Sequence, residues 1–85
     1  MEEIKEIIWT QKFEEDFKKV KDKSIQDKFE KQINKIRLRP DYGKPLRYDL
    51  KGERTIYIKP YRLIYNLEKN TLILLRFEHR KVVYG

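Results

Sequence analysis

Tyr61-Arg62-Leu63-Ile64-Tyr65-Asn66-Leu67, then Glu68-Lys69-Asn70, then Thr71-Leu72-Ile73-Leu74-Leu75-Arg76-Phe77: two runs of β-prone residues flank three polar ones. That grouping predicts two antiparallel strands joined by a tight turn. The Ile73–Leu75 stretch reads as buried on both faces, which assigns its strand to the middle of a sheet. One step back, Ile56 and Ile58 alternate with Thr55, Tyr57 and Lys59, the pattern of a strand with one buried face, and Pro60 marks the turn that follows. Three consecutive strands make a meander.

Further upstream the period changes from two to between three and four. Phe13, Phe17 and Val20 recur at helical spacing behind Thr10, a residue able to cap, and Glu14, Glu15 and Asp16 stand early, where a helix dipole favours acids. A break is expected from Asp22 to Ser24, with Ser24 and Asp27 approximating a capping box. Ile25, Phe29, Ile33 and Ile36 then mark the buried stripe of a second helix, which Pro40 ends because the residue before proline avoids helical angles. Ile4 to Trp9 reads as an opening strand. The expected order is therefore a strand, an antiparallel helical pair and a meander, with the helices on one side of the sheet and the other side left as the candidate surface. Residues 40–53, with Pro40, Gly43, Pro45 and Gly52, read as a long basic connection.

Composition narrows the chemistry. Eighty-five residues predict one domain, 1–85, with a single small core. Without cysteine there is no disulfide framework or thiolate, and the one histidine, His79, does not make a metal site by itself. No metal is expected. The longest apolar run is Leu72–Leu75, so neither a signal peptide nor a membrane span is expected, and a cytoplasmic location follows.

Charge is unevenly placed. All seven arginines lie beyond residue 36, and the net charge of +7 belongs to that part, because residues 1–36 carry nine lysines against nine acids. Arginine's planar fork matches phosphate oxygens two at a time, so an arginine block in excess over carboxylates points to a nucleic-acid partner. The competing reading is a solvated charged surface in a chain whose residues are 41% charged.

Gly43-Lys-Pro-Leu46, Leu50-Lys-Gly52, Tyr61-Arg-Leu-Ile-Tyr65 and His79-Arg-Lys-Val-Val-Tyr84, behind Ile7-Ile8-Trp9-Thr10 and two helices, resemble in order and spacing the RelE/ParE toxin superfamily. The similarity covers essentially the whole chain and is greatest to RelE-type mRNA-cleaving members, the mRNA interferases. The resemblance implies an α+β fold with a small twisted antiparallel sheet that cups RNA. It implies a toxin of a type II toxin–antitoxin system, a ribosome-dependent endoribonuclease that cleaves mRNA and inhibits translation without a cofactor. Its partners would be the ribosome, mRNA and a RelB-like antitoxin with an acidic segment, in a toxin–antitoxin hetero-oligomer.

Residue by residue, the resemblance assigns catalysis to Arg62, Arg80 and Tyr84. His79 and Tyr57 are secondary candidates, and Lys44, Arg47, Lys51, Arg54, Lys59 and Lys81 are candidates to grip RNA. Three of them have a plainer reading: for Arg62 an ion pair with Glu53 or Glu78 across the sheet, for Tyr84 an aromatic plug, for His79 a hydrogen-bonded structural histidine. RelE-type members commonly carry basic residues at alternate positions of the strand before Tyr-Arg. Here Thr55 and Tyr57 occupy those positions, with Arg54 and Lys59 out of register, which leaves the general base open. Two further readings stay open with it, a ParE-like inhibitor of DNA gyrase and a catalytically weakened binder of RNA or antitoxin.

Overall fold

The computed structural model describes residues 4–39, 42–45 and 52–80. Among them, five strands and two helices follow one another as β1 (Glu6–Trp9), α1 (Gln11–Phe17), α2 (Lys23–Leu38), β2 (Lys44–Pro45), β3 (Arg54–Ile58), β4 (Tyr61–Glu68) and β5 (Thr71–His79). The strands form one sheet in the order β1-β5-β4-β3-β2. From β2 to β5 neighbours run antiparallel, the expected meander, while β1 lies parallel to β5 with Ile7 opposite Leu72 and Trp9 opposite Leu74. The sheet is therefore mixed. The helices cover one face, where Phe13, Ile25, Phe29, Ile33 and Ile36 bury against Ile56, Ile58, Leu63, Tyr65, Leu72, Leu74 and Phe77.

Thr10 is the N-cap of α1: its Oγ1 accepts from the Phe13 N–H at 3.2 Å. The same hydroxyl donates to the Leu74 carbonyl at 2.7 Å, and the Asp16 carboxylate accepts from the Phe77 N–H at 3.0 Å. These bonds matter because β1 ends at Trp9, beyond which α1 supplies partners along β5 in place of a strand. Asp16 also accepts from Lys12 at 2.6 Å, and that hydrogen bond holds the Lys12 ammonium above its ordinary pKa. Trp9 meets Phe13, Phe17 and Phe29 edge-on at ring separations of 5.0–5.7 Å, joining the opening strand to both helices.

Two expectations about the helices shift. Val20 is buried but lies past the end of α1, and the second helix is capped by Asp22, whose carboxylate accepts from the Ser24 N–H at 2.8 Å. Ser24 sits inside α2, so the Ser24/Asp27 pair is not the cap. A carboxylate nearer the helix start met the exposed N–H groups first.

The expected central strand shifts as well. The middle position belongs to β4, where Leu63, Ile64 and Tyr65 are all fully buried. Ile73 and Leu75 of β5 are half-buried. The unbroken apolar run there has another cause: Ile64 pairs with Arg76 but Tyr65 pairs with Leu74, so Leu75 is an extra residue in β5, a β-bulge. Leu72 and Leu74 face the helices, and strict alternation would send Arg76 and Glu78 after them. The bulge reverses the phase, so that Phe77 enters the core and Arg76 and Glu78 emerge on the opposite face.

Part of the 40–53 connection is a strand, since Lys44 and Pro45 pair with Thr55 and Arg54. Among the described residues no helix is long and apolar enough to cross a membrane.

Deleting Leu75 should remove the bulge and leave the faces unchanged, because Arg76 then follows Leu74 in regular alternation, with Phe77 inward and Arg76 and Glu78 outward. Cooperative urea unfolding followed by circular dichroism is expected to be retained. Loss of the cooperative transition would contradict the phase argument.

Candidate nucleic-acid interface

The face of the sheet away from the helices is built in rows across β3, β4 and β5. Tyr57 lies opposite Arg62, which lies opposite Glu78, and one row along Thr55, Ile64 and Arg76 are aligned. The Glu78 carboxylate takes Arg62 on one oxygen, Nη2 to Oε1 at 3.0 Å, and Arg76 on the other, Nε to Oε2 at 3.3 Å. Arg76 reaches on to Glu53 at 3.3 Å. That last pair reaches from β5 to the residue before β3, and Ile64, which pairs with Arg76, is fully buried although it points to the outer face.

Four linked charges therefore cross the face. Their side chains keep only 19–34% of their surface exposed, so solvent screens them less than a free surface pair. The plainer reading of Arg62 is realised with Glu78 as the partner, and Glu53 pairs with Arg76 instead. Arg76 and the two glutamates carry no distinguishing motif. Only the register of the strands, with the bulge, brings them to Arg62.

Among the described residues, positive charge without a carboxylate partner collects at the β3–β4 turn. The Arg80 N–H is tied to the Pro60 carbonyl at 2.8 Å, and its guanidinium stands 5.8 Å from the centre of the Tyr57 ring. Tyr57 is 54% exposed. Together with Lys59, Pro60 and Tyr61, these two residues line an open pocket of about 460 Å³. The structure thus brings Tyr57, Lys59 and Arg80 to one corner, with Arg62 opposite Tyr57 in the sheet.

Two sequence candidates stand elsewhere. His79 lies opposite Tyr61 on the helix-covered side, with its ring edge-on to Tyr61 at 5.0 Å. There it helps line a cleft of about 380 Å³ with Lys12, Asp16, Lys19 and Phe77. Arg54 pairs with Tyr65, and its guanidinium donates to the Gly43 carbonyl at 2.6 Å while the Tyr65 hydroxyl accepts from the Gly43 N–H at 2.8 Å. Both polar groups of Gly43 are thereby satisfied from beneath. Thr55 and Tyr57 do face outward at the two alternate positions, Thr55 buried and Tyr57 exposed. Lys44 belongs to β2, and its side chain is outside the described residues, as are Arg47, Lys51, Lys81 and Tyr84. Among the described residues no cluster of three or more His, Cys, Asp or Glu could hold a metal.

A strand, two helices and a meander on one sheet, with linked charges across the outer face and a basic, aromatic corner, define a small α+β domain. Its sequence matches, over residues 7–84, the family described as the ParE toxin of type II toxin–antitoxin systems, parDE, and the chain belongs to that family, within the RelE/ParE superfamily. Among solved structures it is similar to the RelBE2 toxin–antitoxin complex of Mycobacterium tuberculosis, with 27% identity over 87% of this chain and 95% of that one and a TM-score of 0.71. A metal-bound toxin from Helicobacter pylori shares 28% identity over 92% and 97% of the two chains, with a TM-score of 0.65. The E. coli DinJ–YafQ complex shares 25% over 93% and 97%, with a TM-score of 0.66. No curated protein sequence matches.

The Gly43 anchor yields a stability test. A Cβ at position 43 would lie 2.5 Å from the Tyr65 hydroxyl oxygen, so Gly43→Ala must displace a buried ring. Tyr65→Phe leaves the Gly43 N–H without its acceptor, at an expected cost of about 1–3 kcal/mol. Chemical denaturation of both variants checks this, and wild-type midpoints would show that the anchor contributes nothing.

Proposed function

We propose that this toxin is a ribosome-dependent endoribonuclease that cuts mRNA through attack of the RNA's own 2′-hydroxyl. The observation that carries the reading is the corner at the β3–β4 turn, where Tyr57, Lys59 and Arg80 share one pocket and Arg62 stands opposite Tyr57. Unpaired RNA is held by such a combination: bases stack on aromatic or guanidinium planes and phosphates meet cations. RNA brings its nucleophile with it. The protein has to align the 2′-oxygen in line with the leaving 5′-oxygen, accept one proton, donate another and stabilise charge on the phosphate. Arg62 and Arg80 supply the charge, and Tyr84 stacks beside the scissile bond or delivers the proton. Tyr57 offers a second stacking face. His79, turned to the helix side, serves the fold rather than the reaction.

The relatives RelBE2 and DinJ–YafQ were solved as toxin–antitoxin complexes, which supports a cognate antitoxin for this chain, in a hetero-oligomer. An acidic antitoxin segment over the basic corner would block RNA by occupying the same cations. Action on ribosome-bound mRNA makes the cytoplasm its place of work.

A second reading has its own support. The matching family is the ParE one, and the glutamates neutralise Arg62 and Arg76, as suits a protein-binding surface that inhibits DNA gyrase.

One experiment separates the two. Purified toxin added to programmed ribosomes should cut mRNA, leaving a 2′,3′-cyclic phosphate or its hydrolysis product on the upstream fragment. Arg62→Ala and Arg80→Ala should each lower the rate by about 10²-fold, as for loss of one preorganised donor. Arg62→Ala should also lower stability by about 1 kcal/mol, since it removes one of the two guanidiniums that hold Glu78. Tyr84→Phe active with Tyr84→Ala inactive would mean stacking; loss in both implicates the hydroxyl. Intact mRNA together with lost gyrase supercoiling would move the assignment to the second reading.

A further inference from the structure

Glu78 is held in an unusual way for a surface carboxylate. Its two oxygens are shared between two guanidiniums from different strands, Arg62 on Oε1 at 3.0 Å and Arg76 on Oε2 at 3.3 Å. Arg76 is also held through Nη2 by Glu53 at 3.3 Å. A phosphodiester presents the same recognition problem, a single negative charge spread over two non-bridging oxygens, and guanidinium forks suit both anions. The two arginines are already oriented, on paired strands, toward a common anion, so ordering them for a phosphate requires little further loss of side-chain freedom.

We propose that Arg62 and Arg76 form a phosphodiester clamp whose occupant in the free toxin is the Glu78 carboxylate. Incoming single-stranded RNA displaces that carboxylate and puts one backbone phosphate between the guanidiniums. Arg76 thereby becomes an RNA-binding residue, and Glu78 becomes an internal competitor that weakens RNA binding. Position favours the exchange. The clamp begins with Arg62 in the row of Tyr57 and continues to Arg76 in the next row, away from the corner held by Lys59 and Arg80, so a strand whose base stacks at Tyr57 carries a neighbouring phosphate over the sheet toward Arg62 and Arg76. Glu53 stays with Arg76 throughout, since it binds Nη2 while Glu78 takes Nε, and it keeps the guanidinium in place.

The clamp rests on the reading that RNA is the ligand of this face, and its test keeps the two apart by measuring binding without cleavage. The probe is a single-stranded RNA oligonucleotide of about a dozen residues, 2′-O-methylated so that the nucleophile is blocked, followed by fluorescence anisotropy across a salt series. Glu78→Gln keeps the size of the side chain and removes its charge, and should tighten binding by about fivefold at low salt by relieving the competition. Arg76→Gln should weaken binding by about tenfold and lower the slope of log affinity against log salt by roughly one, as expected for one lost phosphate contact. If Glu78→Gln folds poorly, Arg76→Gln decides alone, with its thermal melt confirming that the protein remains folded.

Unchanged or weaker binding by folded Glu78→Gln, or wild-type affinity and salt slope in Arg76→Gln, would overturn the clamp. So would failure of the wild-type toxin to bind the oligonucleotide at all. Wild-type binding with these shifts, but no cut mRNA on ribosomes, would instead retire the cleavage reading and leave the clamp standing.

Discussion

At Leu75 the fifth strand carries one residue more than the strand beside it, and the side of the sheet on which Arg76 and Glu78 emerge follows from that residue. Side chains alternate across a strand, so a single extra residue exchanges the two faces for everything beyond it. Before the bulge Leu72 and Leu74 pack under the helices; after it Phe77 does. The aromatic cluster on one face and the ion-pair network on the other both depend on the shift. Were Leu75 to sit in regular alternation instead of bulging, Phe77 would stand in solvent and two charges would enter the core.

The edge of β5 shows how the helices are held to this sheet. Where β1 stops, the chain turns into α1, and Thr10 and Asp16 bond the Leu74 carbonyl and the Phe77 N–H on either side of the bulge. A bulge disturbs the regular ladder, and backbone groups left near it need other partners. Thr10 serves twice, as helix cap and as donor to the strand, which couples the start of α1 to the point where β5 changes phase.

The distribution of charge is finer than a basic half of the chain. Arg62 and Arg76 are matched by Glu78 and Glu53, so the middle of the outer face is close to neutral, while Lys59 and Arg80 leave positive charge at the β3–β4 turn. Paired arginines hold a defined geometry and add little to the long-range field; unpaired ones attract a polyanion from a distance. Steering and gripping therefore fall to neighbouring parts of one surface, the corner drawing the strand in and the paired row receiving it.

Much of this was legible in the sequence because it rests on local periodicity. The stripe Ile25, Phe29, Ile33 and Ile36, the cap at Thr10, the alternation of Ile56 and Ile58 and the turn after Leu67 each follow from the 3.6- and two-residue periods and from turn chemistry. The outward direction of Thr55 and Tyr57 follows from the same alternation. What the sequence could not assign depends on which strands meet and in what register. The phase reversal at Leu75, hidden inside an unbroken apolar run, the placing of His79 on the helix side, the capture of Gly43 by Arg54 and Tyr65 and the sharing of Glu78 between two arginines all join residues distant along the chain. Their geometry exists only once the hydrogen-bonded ladders have fixed the register, which is why tertiary structure alone decided them.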